Sequence, residues 1–445
     1  MTALDVSTLQ LCALWKMLVP LVLAGMALMN VGFGRARGAS HAMVASLTAV
    51  AVAALVYCFC GAAVQGFRPG ASHAAILGGK PWNWLGGGPL LLSGLRRMDS
   101  GTGIAVLLQI FSVGIAALIP ISTGADRWRL RGSCLSSALL AGFIFPLFAH
   151  WVWGGGWLAQ LGSNYGLGHG FVDAGGAGTI QAVGGVNALA VAWLLGPRRG
   201  KYAQPAMPAA IPGHNIVYVL FGCAVMTPGW IALNCAGAVL WNGAMVTQAP
   251  WIAVNTVLAA AAASLATVAM TRVRFGKPDA SLCANGWVGG LVASSAVCAF
   301  VGPVSAMVVG LVAGVLVTFA VELLELRLGV DDAGGAISVH AVCGLWGLFS
   351  LGTIAWATGG LEGAARVQDL RFGAGQSGQL LAQLMGIATL VGCILPLAYG
   401  LNWMLDRLLP QRVEVRGERL GMDLHELGAG AYPEFVLHSD EFSQR

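Results

Sequence analysis

A glutamine and a histidine occupy matching positions in two copies of one sequence motif. The segment Asp173-Ala-Gly-Gly-Ala-Gly-Thr-Ile-Gln181 is echoed by Asp332-Ala-Gly-Gly-Ala-Ile-Ser-Val-His340, which begins 159 residues later. An imidazole can take up or release a proton near neutral pH, whereas a glutamine amide only donates and accepts hydrogen bonds. We therefore expect Gln181 and His340 to form a polar pair in which His340 alone handles a proton.

Each motif begins with an aspartate before two glycines, a pattern typical of a helix start. The carboxylate of Asp173 or Asp332 can accept backbone N–H bonds there, and the helix dipole stabilises its charge. Structural capping is the simplest interpretation of both residues. For Asp173 a compatible alternative is that its charge also favours a cation in a vestibule at that end of the helix.

A further candidate ends an apolar stretch that reads Ala149-His150-Trp151-Val152-Trp153 before three glycines. Two tryptophans at a membrane interface most often serve as anchors. An inward-facing Trp153 can instead hold a small cation over its π face, which is worth about 0.5–2 kcal/mol depending on desolvation. Both interpretations stay open from the residues alone.

The elements that position these residues must lie in a membrane. Of 445 residues, 57% are hydrophobic and 10% are charged, against about 25% charged in soluble domains. A mean hydropathy of +0.75, 64 glycines and 15 tryptophans indicate a helical protein that crosses a bilayer several times. No basic run indicates a nucleic-acid partner, and the ten cysteines lack zinc-ligand spacing, so we expect no metal or cofactor.

A spanning helix needs about 20 mostly apolar residues, and the sequence contains eleven such stretches between polar or Gly/Pro breaks. They cover residues 10–33, 41–65, 101–122, 134–153, 174–195, 214–236, 250–271, 282–300, 303–326, 333–356 and 377–405. We expect an all-α polytopic membrane domain over 1–405 and a polar cytoplasmic tail over 406–445. Lys16 interrupts the first span and is expected to extend towards the membrane interface.

The basic residues assign an orientation to these spans, because cytoplasmic loops carry the excess of lysine and arginine. One side of the eleven-span arrangement holds 17 basic residues and the other side holds six. The poorer side carries Arg68, Lys80, Arg96, Arg97, Arg366 and Arg371. We therefore expect the N-terminus outside and the C-terminus inside, which requires an odd number of spans.

In this topology the two motifs enter the membrane from opposite sides. Two five-helix halves of inverted topology, followed by one extra C-terminal helix, explain the pattern. Eight residues of helix rise about 12 Å, nearly half of a roughly 30 Å hydrocarbon core. Gln181 and His340 are therefore expected to meet near the midplane.

With these features the sequence resembles the ammonium transporter (Amt/Mep/Rh) family, and within it the Amt branch. The resemblance covers essentially the whole chain. It rests on the His-x-Val-Trp-Gly-Gly-Gly stretch after Ala149, the two Asp-x-x-Gly helix starts, Trp230 and Asn234, and Val-His340-x-x-x-Gly. The tail segment from Gly421 to Tyr432 also resembles the cytoplasmic tail of the family.

The resemblance implies a homotrimer in the plasma membrane, or in the inner membrane of a Gram-negative cell, with one narrow apolar pore in each protomer. Ammonium is recruited at an outer vestibule, loses a proton, and crosses as ammonia past a midplane histidine pair. The family also implies a PII-type regulatory protein at the tail, although Leu427 stands where its pattern commonly has histidine. Lipid and ammonium are the other partners implied.

Carried over residue by residue, the resemblance makes Trp153 the vestibule tryptophan, Asp173 the carboxylate that shapes the vestibule and His340 the second histidine. Gln181 replaces the first histidine, which interrupts a proton relay through the pair. The vestibule serine of the family falls on Gly237, which loses a hydroxyl that would accept from ammonium. We expect ammonium to pass with weaker outer affinity or a changed pH dependence.

The hydrophobic gate of the family is also altered. Its phenylalanine in the Trp-x-x-Phe-Asn stretch becomes Leu233, which follows Trp230. The second gate phenylalanine aligns with Phe111 or with Ser112, depending on the anchor chosen, and Phe111 needs only one extra residue near the helix end. We expect Phe111, Trp230 and Leu233 to form the gate.

Two other classes of function remain to be compared with transport. An ammonium sensor that conducts little and signals through its tail is an alternative, because the gate and the histidine pair are both altered. An intramembrane enzyme is disfavoured, because no second histidine, cysteine or carboxylate is placed to form a catalytic group around His340.

Overall fold

The computed structural model describes residues 5–66, 72–93, 99–202, 208–358 and 378–432. Three sequence predictions fall partly outside these residues: the end of the tail over 433–445, the first residue of the last predicted span, Ser377, and part of the orientation count. The basic residues concerned are Arg68, Arg96, Arg97, Arg366, Arg371 and Arg445.

Eleven helices long and apolar enough to cross a membrane lie within the described residues, which confirms the predicted number of spans. They are Val6–Phe33, Ala36–Gln65, Ser100–Thr123, Leu130–Val152, Ala177–Leu195, Ile216–Asn242, Val246–Phe275, Ala280–Val297, Pro303–Arg327, Ile337–Thr358 and Gln379–Leu408. The predicted break between the eighth and ninth spans is present, since the ninth starts at Pro303, a residue suited to the first turn of a helix.

A β-hairpin stands outside the all-α prediction, which was wrong in this detail. Ser72–Leu77 and Lys80–Gly86 pair antiparallel between the second and third spans. Gly78 and Gly79 make its two-residue turn with φ of +60° and +75°, in the left-handed region that favours glycine. A search for long apolar stretches does not register such a short element, although the Gly-Gly pair was a signal for it.

The two motif copies have the same backbone geometry, as an inverted repeat requires. Gly176 and Gly335, the second glycine of each pair, adopt φ of +91° and +74°. Each is followed by a segment of wide helical turns, Ala177–Ala182 and Ile337–Val342, before a regular α-helix continues. Wide turns of this kind are frequent at functional sites, and here they contain Gln181 and His340.

The fifth and tenth spans approach closely because small residues face each other. A Cβ built on Gly185 would lie within 3.0 Å of the backbone of Ala341, and one on Gly344 would lie 2.5 Å from the Ala177 carbonyl oxygen. Small residues at such contacts let helix backbones pack together in a membrane. This contact brings the two motif helices into register.

The described part of the tail packs against helix ends of the membrane domain. Asp423 accepts hydrogen bonds from the backbone N–H groups of Ser40 and His41, and Glu426 accepts from that of Leu130. These contacts place two carboxylates at the N-terminal ends of the second and fourth spans, where the helix dipole favours negative charge. A short helix, Val415–Leu420, precedes them.

Candidate functional site

Gln181 and His340 contact each other inside the protein. His340 Nδ1 lies 2.7 Å from Gln181 Oε1, and both side chains are buried. Because a carbonyl oxygen accepts, Nδ1 carries the hydrogen of this bond, and a neutral imidazole then has its lone pair on Nε2. The pair therefore fixes the tautomer of His340 and leaves Nε2 able to accept a proton or an N–H group.

A small cavity lies against His340 on the predicted inner side. Its volume is about 20 Å³, which is room for about one water-sized molecule. Most of its lining is apolar, and the polar residues besides His340 are Asn30, Ser122 and Asn285. Asn285 Oδ1 is buried without a hydrogen-bond partner among the described residues. The cavity thus brings a second buried polar side chain, Asn285, beside the imidazole.

Just before the start of the fifth span, Asp173 accepts hydrogen bonds on one carboxylate oxygen only. Its Oδ2 accepts from the backbone N–H of Gly178 at 3.0 Å and from the N–H and hydroxyl of Thr179 at 2.8 and 2.9 Å. Oδ1 is buried and has no partner within the described residues. Asp173 therefore caps the helix and still has a free anionic oxygen.

Burial raises the pKa of Asp173 to about 6, against the lowering effect of its hydrogen bonds from Thr179 and Gly178. The usual pKa of an aspartate is near 4. The carboxylate is therefore ionised at neutral pH but becomes protonated in mildly acidic conditions, so that its attraction for a cation depends on pH.

Trp153 lies beside Asp173, at the end of the fourth span. Its indole Nε1 donates a hydrogen bond of 2.9 Å to the Asp173 carbonyl oxygen. This bond anchors the indole to the backbone of Asp173. The two residues that the sequence suggested for a vestibule are thus in direct contact through this hydrogen bond.

Gly237 lies where the sixth span packs against the segment that precedes the fifth. A Cβ built on it would lie within 3.0 Å of the Ala174 carbonyl oxygen, with Gly175 also in contact distance. The position therefore lacks not only the hydroxyl of the family pattern but also the space for a side chain. The backbone around Asp173 occupies that space.

The predicted gate residues differ in their surroundings. Trp230 and Leu233 are both buried, and the Trp230 indole donates 2.9 Å to the Ser295 hydroxyl. Ser112 is also buried, with its hydroxyl donating 2.8 Å to the Leu108 carbonyl oxygen, whereas Phe111 is half-buried. Ser112 thus has its hydroxyl engaged within its own helix.

Comparison with protein families gives one match across nearly the whole chain. Residues 11–432 match the model described as Ammonium Transporter Family. The chain belongs to the ammonium transporter family. It is therefore a transport protein rather than an enzyme, and its eleven apolar helices make it a multi-pass membrane protein.

Similar proteins include one from an archaeon and one from a bacterium. Ammonium transporter Amt2 of Archaeoglobus fulgidus is 35% identical over 426 residues, covering 95% of this chain and 88% of the relative. The ammonium transporter of Bacillus subtilis is 29% identical over 428 residues, covering 95% and 97%. Each match therefore spans nearly the whole of this chain and most of the relative.

Solved structures of the family share the fold. A protein titled "Sensor Amt Protein" superposes with a TM-score of 0.82 at 24% identity, covering 94% of this chain and 97% of that one. Mep2 of Candida albicans gives a TM-score of 0.74 at 23% identity, covering 93% and 87%. These neighbours confirm the eleven-helix architecture.

An ion-pair cluster near the second motif was not anticipated from the family's residues. Arg198 donates from Nε and Nη2 to the two oxygens of Asp331, each at 2.9 Å, and Arg127 donates 2.8 Å to the Asp331 carbonyl oxygen. Burial alone would raise the pKa of Asp331, but the two arginines lower it to about 2. The cluster holds the start of the tenth span.

The expectation for Lys16 was wrong. Its side chain is fully buried, and Nζ donates to the Ile104 carbonyl oxygen of the third span instead of extending to the interface. A nearby backbone acceptor satisfies part of the hydrogen-bonding demand of the amine, which a pattern within the first span alone does not reveal.

Proposed function

We propose that the chain carries ammonium nitrogen across the membrane by recruiting ammonium outside and passing ammonia through an apolar pore in each protomer. The observation that carries this proposal is the buried contact between His340 and Gln181, with a small cavity against the imidazole. Membership of the ammonium transporter family supplies the substrate class.

Electrostatics favours ammonia over an ion as the species that crosses. A bare cation in an apolar medium costs tens of kcal/mol in the Born limit, whereas neutral ammonia avoids that cost. His340 Nε2 can accept a hydrogen bond from the passing molecule, and Asn285 Oδ1 can accept one in the cavity beyond. Potassium has no proton to lose, so the same pore excludes it.

At the outer end we assign recruitment to Trp153 and Asp173. The indole supplies a π face, and the carboxylate supplies a negative potential through its unbonded Oδ1. Gly237 contributes close packing in place of a hydroxyl, and Phe111 or Ser112 completes the wall on the third span. Phe111, Trp230 and Leu233 then form the apolar gate below the vestibule.

The glutamine at position 181 changes how protons cross. A proton wire needs two groups that each bind and release a proton, and an amide does not do so. The Gln181–His340 pair therefore supports passage of ammonia while limiting the transfer of the accompanying proton. We infer smaller currents per transported nitrogen than a two-histidine pore would give.

The remaining expectations belong to the same proposal. Three protomers assemble in the plasma membrane with the N-terminus outside, the membrane domain ends at residue 405, and the tail over 406–445 faces the cytoplasm. The inward side is then the side of the Asn285 cavity. Cysteine labelling from each face of oriented vesicles tests the orientation, and cross-linking tests the trimer.

Reconstitution of the purified protein tests the function directly. Ammonium, methylammonium and potassium pulses are applied to proteoliposomes on a solid-supported membrane, and internal pH is followed in parallel. We expect ammonium to give a pH change and a small current, with no response to potassium. Absence of both responses to ammonium contradicts transport.

Sensing is the second candidate function, favoured by the contacts of the tail. Asp423 and Glu426 bind helix ends of the membrane domain, so a change at those ends would reach the tail. A PII-type partner at the tail belongs to this proposal, with Leu427 altering its binding surface. Tail movement on ammonium addition without flux, measured by spin labels at positions 424 and 134, favours sensing over transport. A pulldown with the cognate PII protein tests the partner.

A further inference from the structure

Trp241 stacks on Trp153 at the end of the sixth span. The two ring centroids are 5.2 Å apart and the planes differ by 13°, which is an offset stacked geometry. Neither the repeated motif nor the family resemblance singles out Trp241. Its position follows from the helix, because Trp241 lies four residues after Gly237 and therefore on the same face.

This face of the sixth span points towards the predicted vestibule. Asn234 and Gly237 on the same face pack against the segment that contains Gly175 and Ala174. Trp241 continues this face to the helix end and reaches Trp153, whose indole is bonded to the adjoining Asp173. Trp241 therefore covers the face of the Trp153 ring that is turned to the sixth span.

The two rings are held differently. The Trp153 indole N–H is bonded to a backbone carbonyl, so rotation of this ring breaks a hydrogen bond. No acceptor for the Trp241 indole N–H lies among the described residues, and packing alone holds its ring. Trp241 is thus the ring that moves at lower cost.

We propose that Trp241 is a movable cover of the cation-binding face of Trp153, and that ammonium binds this face only when the Trp241 indole has swung away. A ring face already in contact with another ring has no room for a cation. The ion and Trp241 therefore compete for Trp153. The inference rests on the proposed role of Trp153 in recruitment, and it makes Trp241 a determinant of affinity.

Substitution of Trp241 tests whether this residue and ammonium compete for Trp153, because loss of a competitor should strengthen ammonium binding. Trp241→Leu keeps an apolar side chain but removes stacking, so the apparent affinity for ammonium should tighten by roughly 2- to 13-fold, the range that an aromatic pair energy converts to. Trp241→Phe keeps a smaller ring and should lie between the variant and the wild type. The readout is ammonium dependence of the transient current in proteoliposomes.

Trp356→Leu is the matched control. Trp356 is 68% exposed near the end of the tenth span, on the same predicted face of the membrane, and away from the stacked pair. Its replacement removes an interfacial tryptophan without touching the vestibule. We expect the ammonium affinity of this variant to equal that of the wild type.

A second readout follows the rings themselves in the full-length wild-type protein. Close indoles couple their electronic transitions, and the Trp84–Trp157 and Trp151–Trp157 pairs contribute to the tryptophan exciton signal as well. Ammonium should therefore diminish the part of the circular dichroism signal that Trp241→Phe lacks, with potassium chloride as the ionic-strength control. This measurement decides the question even where Trp241→Leu fails to fold. Trp241→Phe supplies the affinity comparison in that case.

Unchanged or weaker ammonium affinity in the folded Trp241 variants overturns the cover. An exciton signal insensitive to saturating ammonium overturns it as well. These outcomes leave the proposed transport intact, because the wild type still responds to ammonium. If the wild-type protein gives no response to ammonium, the proposed function is overturned, and the proposed role of Trp241 is overturned as well.

Discussion

Restoring the family's serine at position 237 should damage the protein rather than improve it. The Cβ of Gly237→Ser would lie within 3.0 Å of the Ala174 carbonyl oxygen, whereas ordinary contacts are 3.4–4 Å. The obstacle is backbone and cannot rotate aside as a side chain would. Either the sixth span or the segment around Ala174 must therefore move by several tenths of an ångström.

Such overpacking in a close contact costs about 1–3 kcal/mol of unfolding free energy. The displaced segment also carries Asp173, whose carbonyl oxygen accepts the Trp153 indole hydrogen bond. Loss of that bond is worth about 0.5–1.5 kcal/mol, which converts to a roughly 2- to 13-fold weaker affinity for ammonium. Both changes oppose the gain expected from an added hydroxyl.

Gly400→Ser is the matched control. Gly400 also lies in a spanning helix, but a Cβ built on it would meet no atom within 4 Å. We expect this variant to stay within about 0.5 kcal/mol of the wild type. Denaturant unfolding in detergent measures stability, and ammonium-dependent currents measure affinity. A Gly237→Ser protein as stable as Gly400→Ser, with tighter ammonium binding, would refute the packing argument.

Three further predictions concern the pore and its supports. Gln181→His places a second imidazole beside His340 and should raise the current per transported nitrogen. The measurement is the ratio of current to ammonia-driven pH change. An unchanged ratio would contradict the proposal that Gln181 interrupts proton transfer through the pair. Because the pKa of Asp173 is about 6, its carboxylate becomes protonated as the outer pH drops through 6, and the affinity for ammonium should fall. Asp173→Asn should abolish this pH dependence, whereas Asp332→Asn should retain it. Asp331→Asn leaves buried Arg127 without its paired carboxylate and leaves Arg198 only the longer 3.5 Å contact with Asp126. It should cost about 3–5 kcal/mol in denaturant unfolding. The lowered pKa of Asp331, about 2, means that its contribution to stability is present above pH 4 and is lost as pH falls through 2, a dependence that the variant should lack.

The eleven spans and the Gln181–His340 contact could be predicted because both follow from periodic or repeated sequence. The length of an apolar stretch directly indicates whether it can span the membrane. Two motif copies of equal length, which start at opposite faces, must bring their ninth residues to the same depth. The positive φ of Gly176 and Gly335 shows that the glycines of the motif serve the same backbone turn in both copies.

The rest depends on contacts between distant segments, which local sequence does not encode. Arg198 and Asp331 are 133 residues apart, and the arginine count alone served only to assign orientation. Lys16 donates to a backbone carbonyl of the third span, and Trp241 stacks on Trp153 at the end of the fourth span. The lack of space at Gly237 likewise arises from a neighbouring backbone, so the alignment showed only a missing hydroxyl.

The dry pore beside His340 is the central claim, and ion selectivity in proteoliposomes tests it most directly. Internal pH is recorded after an ammonium gradient is imposed in a large excess of potassium, with a parallel potassium gradient across the same vesicles. We predict an ammonia-driven pH change that potassium does not diminish, together with no potassium current. A potassium current through the wild-type protein, or a pH response equal to that of empty liposomes, would contradict the account.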